Sequence, residues 1–297
     1  MSGATATLSR AGWPEPRAVA VLLKPITWFA PMWAFGCGIV SAGVPIGHRW
    51  PYVLLGVALC GPLVCATSQA CNDWYDRHVD AINEPNRPIP SGRIPGRWGL
   101  YIALVWTLLS LGASIPLGRV CVAATVLGLA LAWAYSAPPL RLKRNGWWGN
   151  SACAVCYEGL PWVTGAAIMS GTVPNWHIFA MAGLYSFGAH GIMTLNDFKS
   201  IEGDAAVGID SLPVLLGVKR AVVIACAAMA LPQGVVMVLL SLWGKPIEAA
   251  LIAVVLLTQL ALMGKLLRQP REKAPWYNGT GTTLYVLGMM VAAVALR

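Results

Sequence analysis

Apolar residues run in long unbroken stretches along this chain, and polar residues collect in the short segments between them. Runs long enough to cross about 30 Å of hydrocarbon as helices occupy residues 25–43, 52–71, 98–117, 119–137, 151–170, 177–195, 220–242, 247–266 and 279–296. The pattern predicts nine transmembrane helices. The runs are continuously apolar rather than alternating, and an open sheet edge cannot face lipid, so strands are not expected to do the crossing. The expected fold class is all-α integral membrane, a single domain over residues 1–297 that begins with a polar tail over 1–20.

Composition agrees with this pattern. Hydrophobic residues make up 57% of the chain and charged residues only 11%, with a mean hydropathy of +0.63; a soluble domain carries far more charge. The core therefore packs within lipid, which is the chain's first partner. Nine alternating spans place only Arg49, Arg119, Lys245 and Arg297, of the 21 basic residues, on one side. The rest fall in the N-terminal tail and the loops after spans 2, 4, 6 and 8. By the positive-inside rule that side is cytoplasmic, so the N-terminus is expected inside and the C-terminus outside, periplasmic in a bacterium. The net charge of +9 follows from this topology, and nucleic acid is not an expected partner. No cleavable signal is expected, because the first long apolar run begins after about twenty polar and small residues. The eight cysteines are scattered through apolar spans, which argues against a disulfide framework. Cys153-x-x-Cys156 has redox spacing, but it opens a membrane helix, where small buried residues are ordinary.

Two acidic clusters interrupt the pattern. Asn72-Asp73-Trp74-Tyr75-Asp76-Arg77-His78-Val79-Asp80 and Asn196-Asp197-Phe198-Lys199-Ser200-Ile201-Glu202-Gly203-Asp204 each follow an apolar run. An offset of 124 aligns Asn72 with Asn196, Asp73 with Asp197, Asp76 with Ser200 and Asp80 with Asp204. Each cluster ends the second span of a four-span unit, so the chain reads as two parallel four-helix repeats plus one helix, with both clusters on the cytoplasmic face. At about 100° per residue, Asn72, Asp73, Asp76 and Asp80 share one arc of roughly 100° on a helix. Asp197, Ser200 and Asp204 repeat the spacing, with Gly203 weakening the helix.

Most charge runs are solvated loop surface, but three carboxylates on one arc at a membrane boundary repel each other and bear a desolvation cost. A divalent cation answers both. All-oxygen ligands select Mg²⁺ or Mn²⁺, and Mg²⁺ favours a few carboxylates plus water and a substrate phosphate. The candidate metal ligands are Asp73, Asp76, Asp80, Asp197 and Asp204. Arg87, Lys143, Arg144 and Lys199 lie in the same cytoplasmic segments and suit an anionic ligand bridged to that metal. Acids beside bases point to a metal diphosphate. Asp80 to Gly92 carries three prolines and a glycine and is expected to be an ordered loop able to cover a headgroup. Residues 72–97 and 196–218 form the expected cytoplasmic cap.

These residues resemble the UbiA superfamily of intramembrane prenyltransferases, whose first motif, Asn-Asp-x-x-Asp-x-x-x-Asp, is matched by Asn72, Asp73, Asp76 and Asp80. Residues 24–36, 80–92, 135–150 and 196–217 are similar to its chlorophyll and bacteriochlorophyll synthase branch in particular. The resemblance implies a nine-helix bundle around a lipid-accessible chamber, holding Mg²⁺ and prenyl diphosphate under the cap. It further implies that the propionate carboxylate of a chlorophyllide or bacteriochlorophyllide is esterified by a geranylgeranyl or phytyl diphosphate, with release of pyrophosphate. Asp73, Asp76, Asp80 and Asp204 would be catalytic. Asn72, Arg87, Lys143, Arg144, Tyr135, Asn196, Asp197 and Lys199 would bind substrate. Ser200 departs from the family's Asp-x-x-x-Asp second motif, which leaves open whether Asp197 completes that metal site. The lack of a plastid extension favours a bacterial inner or intracytoplasmic photosynthetic membrane, with pigment-biosynthesis or pigment-binding proteins as neighbours.

Two further residues and the tryptophans draw notice. His190 lies seven residues before Asp197, two turns deeper on the same helix face, and is a candidate ligand of a pigment's central metal; the alternative is a hydrogen-bonded packing histidine. Glu158 is an ionisable group at membrane depth. The fourteen tryptophans fit an interfacial aromatic belt, with some left to wall a flat macrocycle. A quinone or haem prenyltransferase would share the diphosphate half of this site. A secondary transporter would also carry repeats, but it would set its key charges near the bilayer midplane rather than at one face.

Overall fold

The computed structural model describes residues 12–297, so most of the expected polar tail over 1–20 lies outside the described residues. The described chain is all helical, with no strand. A short helix α1 (Pro16–Leu22) and a turn at Pro25–Thr27 lead into α2 (Phe29–Ser41). The first membrane-length helix is α3 (Gly47–Asn83), followed by α4 (Trp98–Leu117), α5 (Arg119–Ser136), α6 (Gly146–Ser170) and α7 (Trp176–Lys199). Two short helices, α8 (Ile201–Ala206) and α9 (Leu212–Leu216), precede α10 (Val218–Leu242), α11 (Pro246–Arg268) and α12 (Pro270–Ala295).

Seven helices are long and apolar enough to cross a membrane, α3 to α7 with α10 and α11; the chain has eight crossings if the pair bent by 52° at Trp28 counts as one. The chain is thus a multi-pass membrane protein, with fewer unambiguous crossings than the nine expected. The first expected span is not one straight helix: it opens as a 3-10 turn at Pro25–Thr27 and bends by 52° before α2 begins at Phe29. The last is 26 residues long, but glycine, threonine and tyrosine crowd residues 277–285 and dilute its apolarity. The expected cap loops are also partly helical: residues 72–83 continue α3, and α8 and α9 occupy much of 196–218.

Two wide π turns, Leu59–Cys65 in α3 and Val155–Gly159 in α6, each lie within a membrane helix. Pro62 cannot donate to the ladder, and the wide turn around it absorbs the missing bond without breaking the helix. Inside lipid the helices gain nothing from leaving water for each other, so close packing and polar contacts hold them. Gly38 of α2 lies against the Trp162 carbonyl of α6, and Gly165 of α6 against the Phe35 carbonyl; a side chain at either position would collide with the facing backbone. Gln233 of α10 and Gln259 of α11, both fully buried, exchange two amide hydrogen bonds of 2.9 and 3.2 Å. Tyr285 of α12 donates to the Tyr185 carbonyl of α7 at 2.7 Å. A separate small cluster packs Ala18 and Leu22 of α1 on Ala66, Ala70 and Cys71 of α3, with Ile102 of α4. That cluster fixes the C-terminal half of α3.

Candidate active site

Because α3 stays helical to Asn83, it carries Asn72, Asp73, Asp76 and Asp80 on one arc as the spacing predicts. The carboxylates are not solvated. Asp73 is 2% and Asp80 7% exposed, and cations from three separate segments meet them. The Lys24 ammonium donates to Asp73 at 2.7 Å. Arg87 donates to Asp80 at 2.9 Å and reaches Asp73 at 3.5 Å. Its remaining N–H groups fork onto Glu84 at 2.7 Å each. Asp76 accepts from Lys143 and, at 3.4 Å, from Arg141. The Asp80 to Gly92 segment thus closes back on the acid stripe through Arg87, as an ordered cap.

Burial pulls the Arg87 guanidinium down, but its hydrogen bonds to Glu84 and the charges of Asp73 and Asp80 outweigh this and hold it above its ordinary value. The hydrogen bond from Arg87 holds the Glu84 carboxyl below its ordinary value. Burial lowers the Lys143 ammonium, against the opposing charge of Asp76.

Lys24 and Arg141 were expected only as topology-setting charges. Among the described residues they are also the two non-glycine positions with positive φ, at 46° and 42°. A left-handed lysine or arginine costs about 1–2 kcal/mol, so both cations are presented to the stripe from strained backbone. Linear spacing carries no signal for either. The loop Tyr135 to Arg144, with its Pro138-Pro139 step, marks only where such a turn would fall.

The second cluster is built differently. α7 tightens into a 3-10 turn at Asp197–Lys199, breaks at Ser200 (φ −120°) and resumes as α8. The expected second stripe is therefore not one continuous helix. Asp197 accepts from the Asn150 amide at 3.1 Å, and Asn150 also reaches Thr194 at 3.3 Å. Ser200 donates to Asp204 at 3.0 Å, so its hydroxyl orients the carboxylate that ends the motif. Burial raises Asp204 above the ordinary carboxylate range, against the hydroxyl of Ser200. Asn196 accepts from Asn278 of α12 at 2.9 Å, and Glu202 pairs with Arg271 in solvent. Asn150 and Asn278 escaped the sequence reading, since neither stands near a motif acid in the linear order.

The two clusters share a chamber of about 540 Å³ walled by α2, α3, α5, α6 and α7. Asn72, Asn196 and Lys199 stand on its wall, with Tyr135, Tyr157, Cys153 and Cys156 beneath and Phe29 and Ile26 toward lipid. An open cleft lined by Lys24, Asp73, Glu84 and Arg87 meets the chamber at Ile26. A polar, charge-rich mouth thus sits over an apolar body. No three acidic, histidine or cysteine side chains among the described residues form a ready cage for one ion.

Two expected site residues lie elsewhere. Arg144 is exposed beside Gly208 and pairs with no acid among the described residues. His190 faces a different cavity on the other side of α6. It shares a helix face with Asp197, but it stands two turns deeper, where that face meets this second cavity, while Asp197 is held by Asn150. Glu158 is 5% exposed, with one carboxylate oxygen unpartnered, and lines neither space.

Comparison with known proteins agrees with this architecture. The family model described as the UbiA prenyltransferase family matches residues 20–294. The bacteriochlorophyll synthase 33 kDa chain of Cereibacter sphaeroides is 61% identical over 284 residues, covering 96% of this chain and 94% of that one. The chain of the same description from Rhodobacter capsulatus is 55% identical over 300 residues, covering 100% and 99%. A solved UbiA homolog from Archaeoglobus fulgidus, bound to GPP and Mg²⁺, superposes with a TM-score of 0.70 at 19% identity, over 92% of this chain and 99% of that one. With an acid stripe, a basic cap and a lipid-side chamber in one helical bundle, and a family match over nearly its whole length, the chain belongs to the UbiA prenyltransferase family.

Proposed function

We propose that this prenyltransferase esterifies the propionate carboxylate of bacteriochlorophyllide, or of the related chlorophyllide, with a geranylgeranyl or phytyl group taken from its diphosphate. One observation carries the reading of the site: Lys24, Arg87, Arg141 and Lys143 converge from separate segments on one buried acid stripe, at the polar mouth of an apolar chamber. The acceptor reading rests on the 61% and 55% identical relatives, which align along nearly their whole length.

The residues suit a divalent metal held in part by substrate. Mg²⁺ is commonly bound by one or two carboxylates plus phosphate oxygens and water rather than by an all-protein cage, and paired rather than caged carboxylates are what the stripe offers. Asp73, Asp76 and Asp80 would hold it from one side, Asp197 and Asp204 from the other. Bound there, Mg²⁺ or Mn²⁺ would neutralise the charge growing on the departing diphosphate. The chain's own groups do the remaining work. Arg87 and Lys199 bind diphosphate oxygens, with Arg87 free to exchange carboxylate for phosphate on its fork. Asn72 and Asn196 orient the head group at the chamber wall. The apolar wall below keeps water from the allylic cation. A propionate is already ionised near neutral pH, so no general base is required of the chain.

The full arrangement is nine crossings as two parallel four-helix repeats plus one, counting the bent α1–α2 segment and α12 as spans. Supporting this are the length of α12 and the second occurrence of the Asn-Asp motif. The N-terminus and cap face the cytoplasm of a bacterial inner membrane, as the basic residues of the cap segments require.

The test is purified protein with prenyl diphosphates and a panel of acceptors, with and without Mg²⁺. Ester and pyrophosphate are expected from bacteriochlorophyllide and none from 4-hydroxybenzoate, with turnover lost in EDTA and restored by Mg²⁺. Prenylation of 4-hydroxybenzoate instead would assign the chain to quinone synthesis.

A further inference from the structure

The turn that carries Lys24 stands between the two parts of the site. Lys24, Pro25 and Ile26 line the open cleft, whereas Ile26 and Thr27 line the chamber. A ligand with its head in the cleft and its tail in the chamber must pass this turn. Lys24 is held there at φ 46°, a conformation that persists only where the surroundings impose it. Thr27 imposes it through two bonds to one atom. Its backbone N–H donates to the Lys24 carbonyl at 2.9 Å and its hydroxyl to the same oxygen at 2.8 Å. On the other side of Lys24, the Leu23 carbonyl accepts from the Trp28 indole at 2.9 Å.

The Thr27 hydroxyl is itself backed from the chamber. The Cys65 thiol lies 3.4 Å from it and 3.6 Å from the Tyr157 hydroxyl, and the Gln69 amide donates to Tyr157 at 3.1 Å. Tyr157 and Gln69 both line the chamber wall. Cys65 closes the wide turn of α3 and Tyr157 lies within that of α6. Wide turns of this kind recur at functional sites, and these two meet across the bundle. Gly61, in the first of them, lets Met32 and Trp28 approach so closely that any side chain there would collide with both. A polar chain thus runs from the chamber wall to the strained backbone of Lys24.

We propose that Thr27 is a positioning residue for diphosphate binding: it holds the turn that sets the Lys24 ammonium over Asp73, and Cys65 and Tyr157 brace it from the chamber side. The inference rests on the prenyl diphosphate reading given above. Thr27 touches no phosphate, and its effect passes through Lys24. Without the brace, Lys24 is free to relax to negative φ and to carry its charge away from Asp73, 2.7 Å from it in the structure.

The test titrates the full chain in detergent with geranylgeranyl thiolodiphosphate and Mg²⁺, a probe that carries the head group but resists ionisation, beside KM and kcat for the diphosphate itself. Thr27→Val, which keeps the shape and removes the hydroxyl, is expected to weaken binding and raise KM about fourfold, with kcat little changed. Thr27→Ser should recover most of the loss. Tyr157→Phe keeps the ring on the chamber wall and should lose about twofold. The deciding measurement is the double variant. In a Lys24→Asn background, Thr27→Val should weaken binding no further, because the charge it positions is gone. A threonine that merely packs the turn would weaken both backgrounds alike, and that additive result overturns the proposal. So does a loss confined to kcat, or unchanged binding in Thr27→Val. Should Thr27→Val misfold, Thr27→Ala enters the same cycle. A parent chain that does not bind the thiolodiphosphate sinks the prenyl diphosphate reading first, and this inference with it.

Discussion

The two acidic motifs occupy equivalent places in the chain yet satisfy their carboxylates in opposite ways. On α3 every aspartate is met by a lysine or arginine, four cations for three acids. At the end of α7, Asp197 and Asp204 receive only an amide and a hydroxyl. The first motif is electrically complete and has positive groups to hand over when a diphosphate arrives. The second is undercompensated and depends on an incoming cation. Helix continuity follows the same division: α3 runs unbroken through its motif, while the second motif bends at Ser200 so that a hydroxyl rather than a carboxylate sits beside Asp204.

The strongest way to break this contrast is at the first motif. Asp76→Ala or Asp80→Ala should reduce esterification about 10³-fold or more, by removing electrostatic stabilisation and stranding the paired cations, while membrane insertion stays normal. Turnover near the parent level in either purified variant would remove the stripe from the chemistry.

At the second motif the effect should split between activity and stability. Asp204→Asn is expected to lower turnover by about 10²-fold. Since burial raises the Asp204 pKa in the folded state above its ordinary 3.8, its contribution to stability is present below that value and is lost as pH rises through the raised one. The asparagine variant escapes this loss. Its Tm, measured without metal, should gain on the parent as pH climbs from 4 to 7, and a gap that shrinks over that range would contradict the undercompensated reading.

Asn150→Ala should cost about 10–100-fold in metal-dependent activity, the usual loss when the partner that orients a ligand is removed. Raising Mg²⁺ should recover part of it. The smallest expected effect is at Lys24: Lys24→Asn keeps a residue that tolerates positive φ but removes the charge. It should raise the KM for prenyl diphosphate about fivefold, with kcat less affected; a pure kcat loss would place Lys24 at the reacting centre instead.

Much of this was legible in the residues. Long apolar runs gave α4 to α7, α10 and α11 within about five positions, though α3 runs twelve residues past its expected end and α12 begins nine before its expected start, and the Asn72 to Asp80 spacing gave the stripe, because both depend on periodicity within one helix. Legibility failed where the chain meets itself from afar. Lys24 reaches Asp73 across 49 positions and Lys143 reaches Asp76 across 67, pairings set by how α1 and the α5–α6 loop pack. The break at Ser200 was missed for a local reason. A helical wheel assumes one unbroken helix, and α7 tightens before its motif is complete.

The wide turn at Leu59–Cys65 bears on the acid stripe from a distance. A π turn holds one residue more than regular α-helix needs, so it offsets everything downstream by about 100° around the axis. Deleting a single residue there would leave the outer half of α3 in its lipid contacts and swing all three aspartates away from Arg87 and Lys143. The direction in which this helix aims its charges is thus set by the number of residues in that turn, and no point substitution at the cap would undo such a rotation.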